Sequence, residues 1–386
     1  MEMIIFIILC LSFFLLVVIM VSTVLHYFFG RKRIVFLSST PRVSILKPIS
    51  ANVDDLEKNI ESFFTLKYAN YEILFGVEKI DGEYVGVLNK LKQKYPDIRA
   101  EIIETGYTST QNPKIASLSK LEKHSTGSLY WVVDSNIMVG NKVLESMVNE
   151  YLVNGSKMIF SPIRGIGGRT IGSLMENSNT SVFMSGVMVM AWSLFKEQVI
   201  TGKSILIEKE SLESLGGFIC FKDYLAEDFI MGETFKNNRF KISTTYAWVD
   251  SISERSTVTK FFKRLVRWAK LRFHLKTYIY FLEILFNPIV ISLIGALIYG
   301  GIWADILFIT IIIKIFLEYI VFVCLNKEDR KYLKLNLLFP VSVVIKDIIL
   351  AVVYFIPFFS HTIKWSGKKI GIGKNTIILH FEKQLI

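Results

Sequence analysis

The chain alternates between stretches apolar enough for lipid and stretches patterned for a water-soluble core. Residues 4–29 form a nearly unbroken apolar run that stops at Arg31-Lys32-Arg33. A helix needs about 20 apolar residues to cross a bilayer, so this run predicts a transmembrane anchor over residues 1–30. The competing reading is a removed signal sequence, which is shorter, basic at its start and small-residued at its cleavage site. Here Met-Glu-Met comes first and the basic cluster follows. Basic residues collect on the cytosolic side of a span, which places the next domain in the cytosol.

From residue 42 to 275 the pattern changes. Residues 43–48, 71–77, 99–104 and 129–134 read as short buried strands, and 54–66, 84–94, 113–124 and 140–151 have helical spacing between them. Strands alternating with helices predict an α/β fold, a parallel sheet with helices on both faces. Ligands of such sheets bind beyond the carboxyl ends of the strands. Lys47, Asp81 and Asp134 each fall at or just past such an end.

The last third is apolar again. Residues 278–300 and 303–325 are predicted spans around Gly300-Gly301, giving two transmembrane helices within 277–326. A third stretch, 335–359, is interrupted by Pro340 and Lys346-Asp347. A charge at the bilayer centre costs at least about 2.5 kcal/mol and usually faces protein or water. Segments 327–334 and 364–374, on either side, are both basic. If both are cytosolic, the chain between them crosses an even number of times. A re-entrant or membrane helical hairpin is therefore expected over 335–360, followed by a basic cytosolic tail, 361–386.

Composition narrows the class. Of 386 residues 52% are hydrophobic, mean hydropathy is +0.43, and the formal net charge is +11 with a pI near 9.3. A basic excess suits nucleic acid, anionic lipid or a phosphorylated substrate; the apolar content favours the last two and argues against nucleic acid. The three cysteines, Cys10, Cys220 and Cys324, and the five histidines are scattered, so neither a disulfide framework nor a zinc site is expected.

Three places carry chemistry. Asp134-Ser135-Asn136 follows an apolar strand, where an acid can reach a metal on a diphosphate, with Asn136 as a weaker oxygen ligand; it can equally cap the next helix. Glu227-Asp228 follows Gly216-Gly217 and opens an apolar helix, where acids also simply complement the helix dipole. Residues 260–276 hold seven basic residues. Arg264 and Arg267, three apart, share one helix face there, with Trp268 beside them. A basic helix lying on anionic lipid explains the same residues.

Taken in order, these motifs resemble the ceramide glucosyltransferase family, glycosyltransferase family 21, whose members are inverting enzymes with a GT-A nucleotide-sugar-binding domain. The resemblance runs through Val43-Ser-Ile-Leu-Lys-Pro48, Tyr71-Glu-Ile-Leu-Phe-Gly-Val77, Asn112-Pro-Lys-Ile115 and Asp134-Ser-Asn-Ile137. It continues through Val199-Ile-Thr-Gly-Lys203, Leu225-Ala-Glu-Asp228, Arg264-x-x-Arg267-Trp268 and Lys364-Trp-Ser-Gly-Lys-Lys369. It covers about residues 40–372. The chain departs from the family pattern at Lys79-Ile80-Asp81, where members often carry an acidic pair. It also has no histidine between His124 and His274, where members carry one in the region matching 176–185.

The resemblance implies a cytosolic GT-A catalytic domain over 40–276, with a basic interfacial helix at 260–276. Asp81 would contact uridine, in a pocket lined by Lys47 and Pro48. Asp134, aided by Lys114, would hold the metal (Mg or Mn) and the diphosphate of UDP-glucose, with Asn136 as a further ligand. Asp228 would be the general base toward the primary hydroxyl of ceramide. Arg264, Arg267 and Trp268 would close over the diphosphate and frame the lipid entrance, whose floor Lys346-Asp347 would form. The expected setting is an integral membrane protein, in Golgi or ER for a eukaryote and in the plasma membrane for a bacterium. The alternatives are a transferase of N-acetylglucosamine to hopanoid lipid and a scaffold that keeps the fold without turnover. Processive polysaccharide synthases fit less well, because their signature usually begins with Gln where Arg264 stands.

Overall fold

The computed structural model describes residues 1–32, 37–50, 54–106, 111–326, 333–365 and 368–379. The chain divides into two compact units, residues 26–164 with 191–252, and residues 1–25 with 165–190 and 253–386. It opens with α1 (Glu2–Lys32), a 31-residue helix shared between them.

The first unit is a layered α/β domain. Its chain order is β1 (Val43–Pro48), α2 (Leu56–Phe64), β2 (Tyr71–Val77), α3 (Glu83–Lys94), β3 (Ala100–Glu104), α4 (Pro113–His124) and β4 (Leu129–Val133). Then come β5 (Ile137–Met138), α5 (Val143–Asn154), β6 (Met158–Phe160) and β7 (Ile163–Ile166), at which the chain leaves for α6 (Ile171–Ser178) and α7 (Ser185–Met190). It returns with β8 (Ser204–Glu208), α8 (Lys209–Ser214), α9 (Glu227–Asn237), β9 (Ile242–Thr244) and β10 (Val249–Ile252).

Seven strands form the main sheet in the order β3-β2-β1-β4-β8-β6-β9. The four expected strands are present and parallel, with Val43 beside Tyr71 on one side and Leu129 on the other. The sheet as a whole is mixed, however, because β8 runs antiparallel to both β4 and β6. Both β4 and β8 are buried along their whole length. Such a run looks the same whichever way its neighbour points, so the sequence pattern carried no sign of the reversal. Trp131 anchors this junction: its indole is fully buried and Nε1 donates to Ser204 Oγ at 3.0 Å.

The second unit contains α10 (Val258–Leu275), α11 (Thr277–Leu282), α12 (Pro288–Tyr299), α13 (Ile302–Leu325) and α14 (Leu333–Phe355). A small antiparallel sheet follows, of β11 (Thr362–Trp365), β12 (Lys368–Ile372) and β13 (Ile378–Leu379). Among the described residues three helices are long and apolar enough to cross a membrane, at Glu2–Gly30, Ile302–Leu325 and Leu337–Phe358. Over the predicted span at 278–300 the chain forms a bent pair of helices, Thr277–Leu285 and Pro288–Tyr299, at 69°. Pro288 explains the break, since it disfavours helical geometry in the residue before it. Asn287 is accordingly non-helical, and its side chain caps α12 by accepting from Val290 N. Past the bend, Gly300 and Gly301 both adopt positive φ, which makes the tight turn into α13 possible.

Where a hairpin was expected over 335–360, α14 is one continuous helix that passes through Pro340. Lys346 and Asp347 do not break it because neighbouring helices neutralise them. Asp347 pairs with Lys314 of α13, and Lys346 pairs with Glu318, one turn along that helix, at 2.5 Å. Ser178 of α6 donates to the same Glu318 carboxylate at 2.9 Å. All four charged side chains are at most 5% exposed.

Removing one member of a buried pair leaves an uncompensated charge, which typically costs about 3–5 kcal/mol. Glu318→Ala should therefore lower the melting temperature of the detergent-solubilised protein sharply. The double variant Glu318→Ala with Lys346→Met should recover most of the loss; equal melting of single and double variants would show that the pair carries no such weight.

Candidate active site

The chemistry of the α/β unit gathers where its chain reverses direction across the sheet. From β1 the chain moves outward to β2 and β3, then returns to β4 on the other side of β1. That arrangement opens a crevice at the carboxyl ends of β1 and β4. Lys47 and Pro48 end β1, and Asp134 follows β4 directly.

Lys47 is fully buried and turned under the loop after β4. Its Nζ donates to the carbonyls of Asp134 at 3.0 Å, Ser135 at 3.4 Å and Ile137 at 3.2 Å, and it lies 4.4 Å from the centre of the Phe63 ring. Burial pushes the ammonium down to about 7, against the opposing pull of Asp134. This lysine thus holds the shape of the acid-bearing loop. Pro48 is half-buried beside it, and Asp81 is exposed in the turn between β2 and α3.

Lys114 is the centre of the cluster. Asn112 caps α4, accepting from Lys114 N at 3.0 Å, and Pro113 occupies the first helical position. The Nδ2 of the same Asn112 donates to Glu227 Oε2 at 2.8 Å, tying the start of α4 to the start of α9. Lys114 Nζ then lies 2.7 Å from Asp134 Oδ1, 3.3 Å from Glu227 Oε1 and 2.9 Å from the Gly202 carbonyl. Burial alone would depress this ammonium; the carboxylates of Asp134, Glu227 and Asp228 raise it above its ordinary value. Asp134 answers in the opposite sense. Burial pushes its carboxyl up, but Lys114, Lys203 and Lys47 hold it below the usual range. Asp134 is also no helix cap, for α5 begins behind Lys142.

Asp228 behaves differently from Asp134. It is half-buried in the first turn of α9, and its Oδ1 accepts from Phe229 N at 2.9 Å. Burial first, and the neighbouring Glu227 second, push its carboxyl up to about 6, with Lys114 pulling the other way. Two acids of one crevice thus have opposite tendencies, one kept ionised and the other poised to take a proton, which is the pattern of divided acid–base roles. Gly202 makes room for this: a Cβ there would lie 2.5 Å from Asp228 Oδ2. Glu227, Asn112 and Gly202 were given no role from sequence, although each lies in a motif that carried the resemblance.

The donors also bear on a cation. Asn136 Nδ2 donates to Ser251 Oγ at 3.0 Å, so its amide oxygen is the atom a cation would use. Among the described residues no three His, Cys, Asp or Glu side chains form a cage. Asp134, with Lys114 on its Oδ1, and Asn136 are oxygen donors of the kind that Mg or Mn takes alongside phosphate and water.

The other expected site residues lie in the second unit. Arg264, on α10, forms an ion pair with Glu176 of α6. Burial first, then the adjacent Arg267, lower the Arg264 guanidinium from its ordinary value. Trp268 packs against the apolar cluster of Met175, Phe261 and Leu265.

The chain thus combines a mixed α/β sheet, its charged groups at the point of reversal, with three helices long and apolar enough to cross a membrane. The description of Glycosyl transferase family 21 matches residues 9–378, and the chain belongs to that family. It is 30% identical over 246 residues to ceramide glucosyltransferase 3 of Caenorhabditis elegans, covering 64% of this chain and 54% of that one. To ceramide glucosyltransferase 1 of the same nematode it is 28% identical over 264 residues, covering 66% and 55%. The chain thus spans about half the length of these curated relatives. Among solved structures, it is similar to the mannosyltransferase PcManGT from Pyrobaculum calidifontis in complex with GDP-Man and Mn2+. The TM-score is 0.46 at 13% identity, covering 88% of this chain and 99% of that one.

The raised Asp228 has a consequence for stability that is independent of turnover. Its native value exceeds that of an unfolded carboxyl, so the ionised form is strained and the native state loses stability as pH rises toward about 6. Asp228→Asn should melt higher than the parent protein at pH 7.5. The gap should close as pH falls from about 6 toward the unfolded value near 4. A gap independent of pH would show that Asp228 ionises normally.

Proposed function

We propose that this chain is an inverting, membrane-bound transferase that moves glucose from UDP-glucose to the primary hydroxyl of ceramide at the cytosolic face. The observation that carries this reading is the cluster in which Lys114 joins Asp134 and Glu227, with Asp228 next along the chain and its carboxyl pushed up to about 6 by burial and by Glu227. Names of relatives supply the acceptor and the sugar; the chemistry of the crevice is consistent with both.

On this reading, Asp228 accepts the hydroxyl proton of the acceptor as its oxygen attacks the anomeric carbon. A new carbon–oxygen bond forms on one face of the sugar while the bond to the diphosphate breaks on the other, and UDP leaves with the electron pair. The ring passes through an oxocarbenium-like state, and the configuration inverts because the acceptor attacks once, from the face opposite the departing diphosphate. Lys114 places positive charge where the leaving group gains negative charge. A metal on Asp134 and Asn136 would supply further neutralisation of the diphosphate. Asp81, Lys47 and Pro48 are assigned the uridine pocket, and Arg264, Arg267 and Trp268 the diphosphate and lipid entrance, on the family resemblance.

The test uses the full chain in nanodiscs with UDP-glucose and a short-chain ceramide. Mass spectrometry should detect glucosylceramide. Product only from UDP-N-acetylglucosamine, or only on a hopanoid, would replace the assignment with the related lipid transferase. Asp228→Ala should lower kcat by about 10²–10⁴-fold while UDP-glucose still binds. An unchanged phenotype would point to a non-catalytic scaffold.

The pH profile should have an acid limb near 6, because Asp228 must be ionised to act as a base. Glu227→Gln removes a charge that raises Asp228, so the limb should move to lower pH; a limb that moves upward would reject Asp228 as the base. Arg267→Ala should raise the KM for UDP-glucose about tenfold, in line with the loss of a charge-assisted phosphate contact.

A further inference from the structure

The crevice contains a third lysine to which the proposed mechanism gives no step. Lys203 stands immediately before β8, which runs antiparallel to β4 with Ser204 beside Val133. The start of β8 therefore lies at the carboxyl end of β4, and the Lys203 carbonyl accepts from Asp134 N at 3.1 Å. Gly202, just before it, supplies the carbonyl on which Lys114 rests at 2.9 Å.

One hydroxyl fixes where the Lys203 ammonium sits. Ser251 of β10 is 4% exposed, and its Oγ accepts from Lys203 Nζ at 2.8 Å and from Asn136 Nδ2 at 3.0 Å. The backbone holds Ser251 against the same loop. It pairs with Ile137 of β5, and Ile252 N donates to the Asn136 carbonyl at 3.0 Å. Ser251 thus gathers a cation and an amide at the loop that carries Asp134, and Lys203 lies within electrostatic reach of that carboxylate.

The three lysines differ in what their ammonium groups are committed to. An ammonium has three protons to donate. Lys47 directs its three at the carbonyls of Asp134, Ser135 and Ile137, deep under the loop. Lys114 directs its three at Asp134, Glu227 and Gly202. Lys203 is held by a neutral hydroxyl, which takes a proton and none of the charge. It is half-buried, not enclosed as Lys47 is.

Charge balance points the same way. With Lys47 and Lys114 alone, the acids Asp134, Glu227 and Asp228 would leave the cluster negative when all are ionised, and it would repel an anion. Lys203 cancels that excess. A departing diphosphate gains negative charge as its bond to the sugar breaks, and a cation already in position stabilises it without reorganisation.

We propose that Lys203 is a second cation for the diphosphate of the donor, alongside Lys114, and that Ser251 is the positioning residue that holds it there. The ammonium groups of the chain then bind the diphosphate on their own, and a divalent ion adds to them. Taking the ligand to be a nucleoside diphosphate rests on the proposed function; neither the sugar nor the lipid enters.

The test measures equilibrium binding of radiolabelled UDP to the full chain in nanodiscs with EDTA, so that only protein groups contribute. Uridine, measured by competition, reports the same pocket without phosphate. Lys203→Met removes the charge and keeps the length of the side chain. It should weaken UDP about tenfold or more, as expected for a lost charge-assisted hydrogen bond, and leave uridine unchanged. Lys203→Arg keeps the charge and should retain most of the UDP affinity. Ser251→Ala should weaken UDP about two- to fivefold, again without effect on uridine.

Unchanged UDP affinity in Lys203→Met would overturn the inference. So would an equal loss for UDP and uridine, which marks a purely structural role, or a parent protein that binds no nucleoside diphosphate in EDTA. Should Lys203→Met fail to fold, Ser251→Ala decides by the same comparison. Binding of GDP in place of UDP would replace the proposed donor, and GDP with guanosine would then take the same test. Lys203-dependent UDP binding without glucosyl transfer to ceramide would refute the proposed function and leave this assignment standing. Transfer with UDP affinity unaltered in Lys203→Met would do the reverse.

Discussion

The α/β unit depends on one buried cation. Lys114 sits among Asp134, Glu227 and the Gly202 carbonyl, with Asp228 close enough to act on it electrostatically. Three carboxylates brought together without it would repel one another and be protonated in turn. With it, one acid stays ionised and another keeps a proton affinity suited to neutral pH. The lysine is in place because Asn112 both caps its helix and reaches the helix that carries the acid pair. Two loops and two helices are thereby held together by one amide and one ammonium.

The second unit solves a different problem with the same chemistry. Its helices carry charges where lipid would forbid them, and it pairs those charges between α13 and α14. Pairing one turn apart on one helix with adjacent residues on the next makes the contact specific to one register. Ion pairs of this kind contribute little net stability over apolar side chains.

Much of the α/β unit was legible from residue pattern. All four parallel strands and the helices between them lie within a few residues of where spacing placed them, because strand and helix periods differ and each segment is long enough to show its own. The direction of β8 was not legible, since complete burial erases the alternation that would mark a face. The break at Pro288 was written in the sequence as a proline, yet the uninterrupted apolar run around it concealed a bend. With α14 the error was opposite. Lys346 and Asp347 looked like an interruption because their partners, Lys314 and Glu318, lie about 30 residues away and cannot be inferred from local pattern.

For the candidate site, the sequence determined which residue types were available and roughly where in the fold they would emerge. Acids at strand ends and at a helix start follow from local chemistry alone. Only the tertiary structure decided their states. Asp228 and Asp134 are buried alike, and what separates them is the charge around each: Lys114, Lys203 and Lys47 about Asp134, and Glu227 beside Asp228. The three lysines stand far apart in the chain. Burial and Coulomb interaction act through space, and a linear pattern of residues does not encode separations in space.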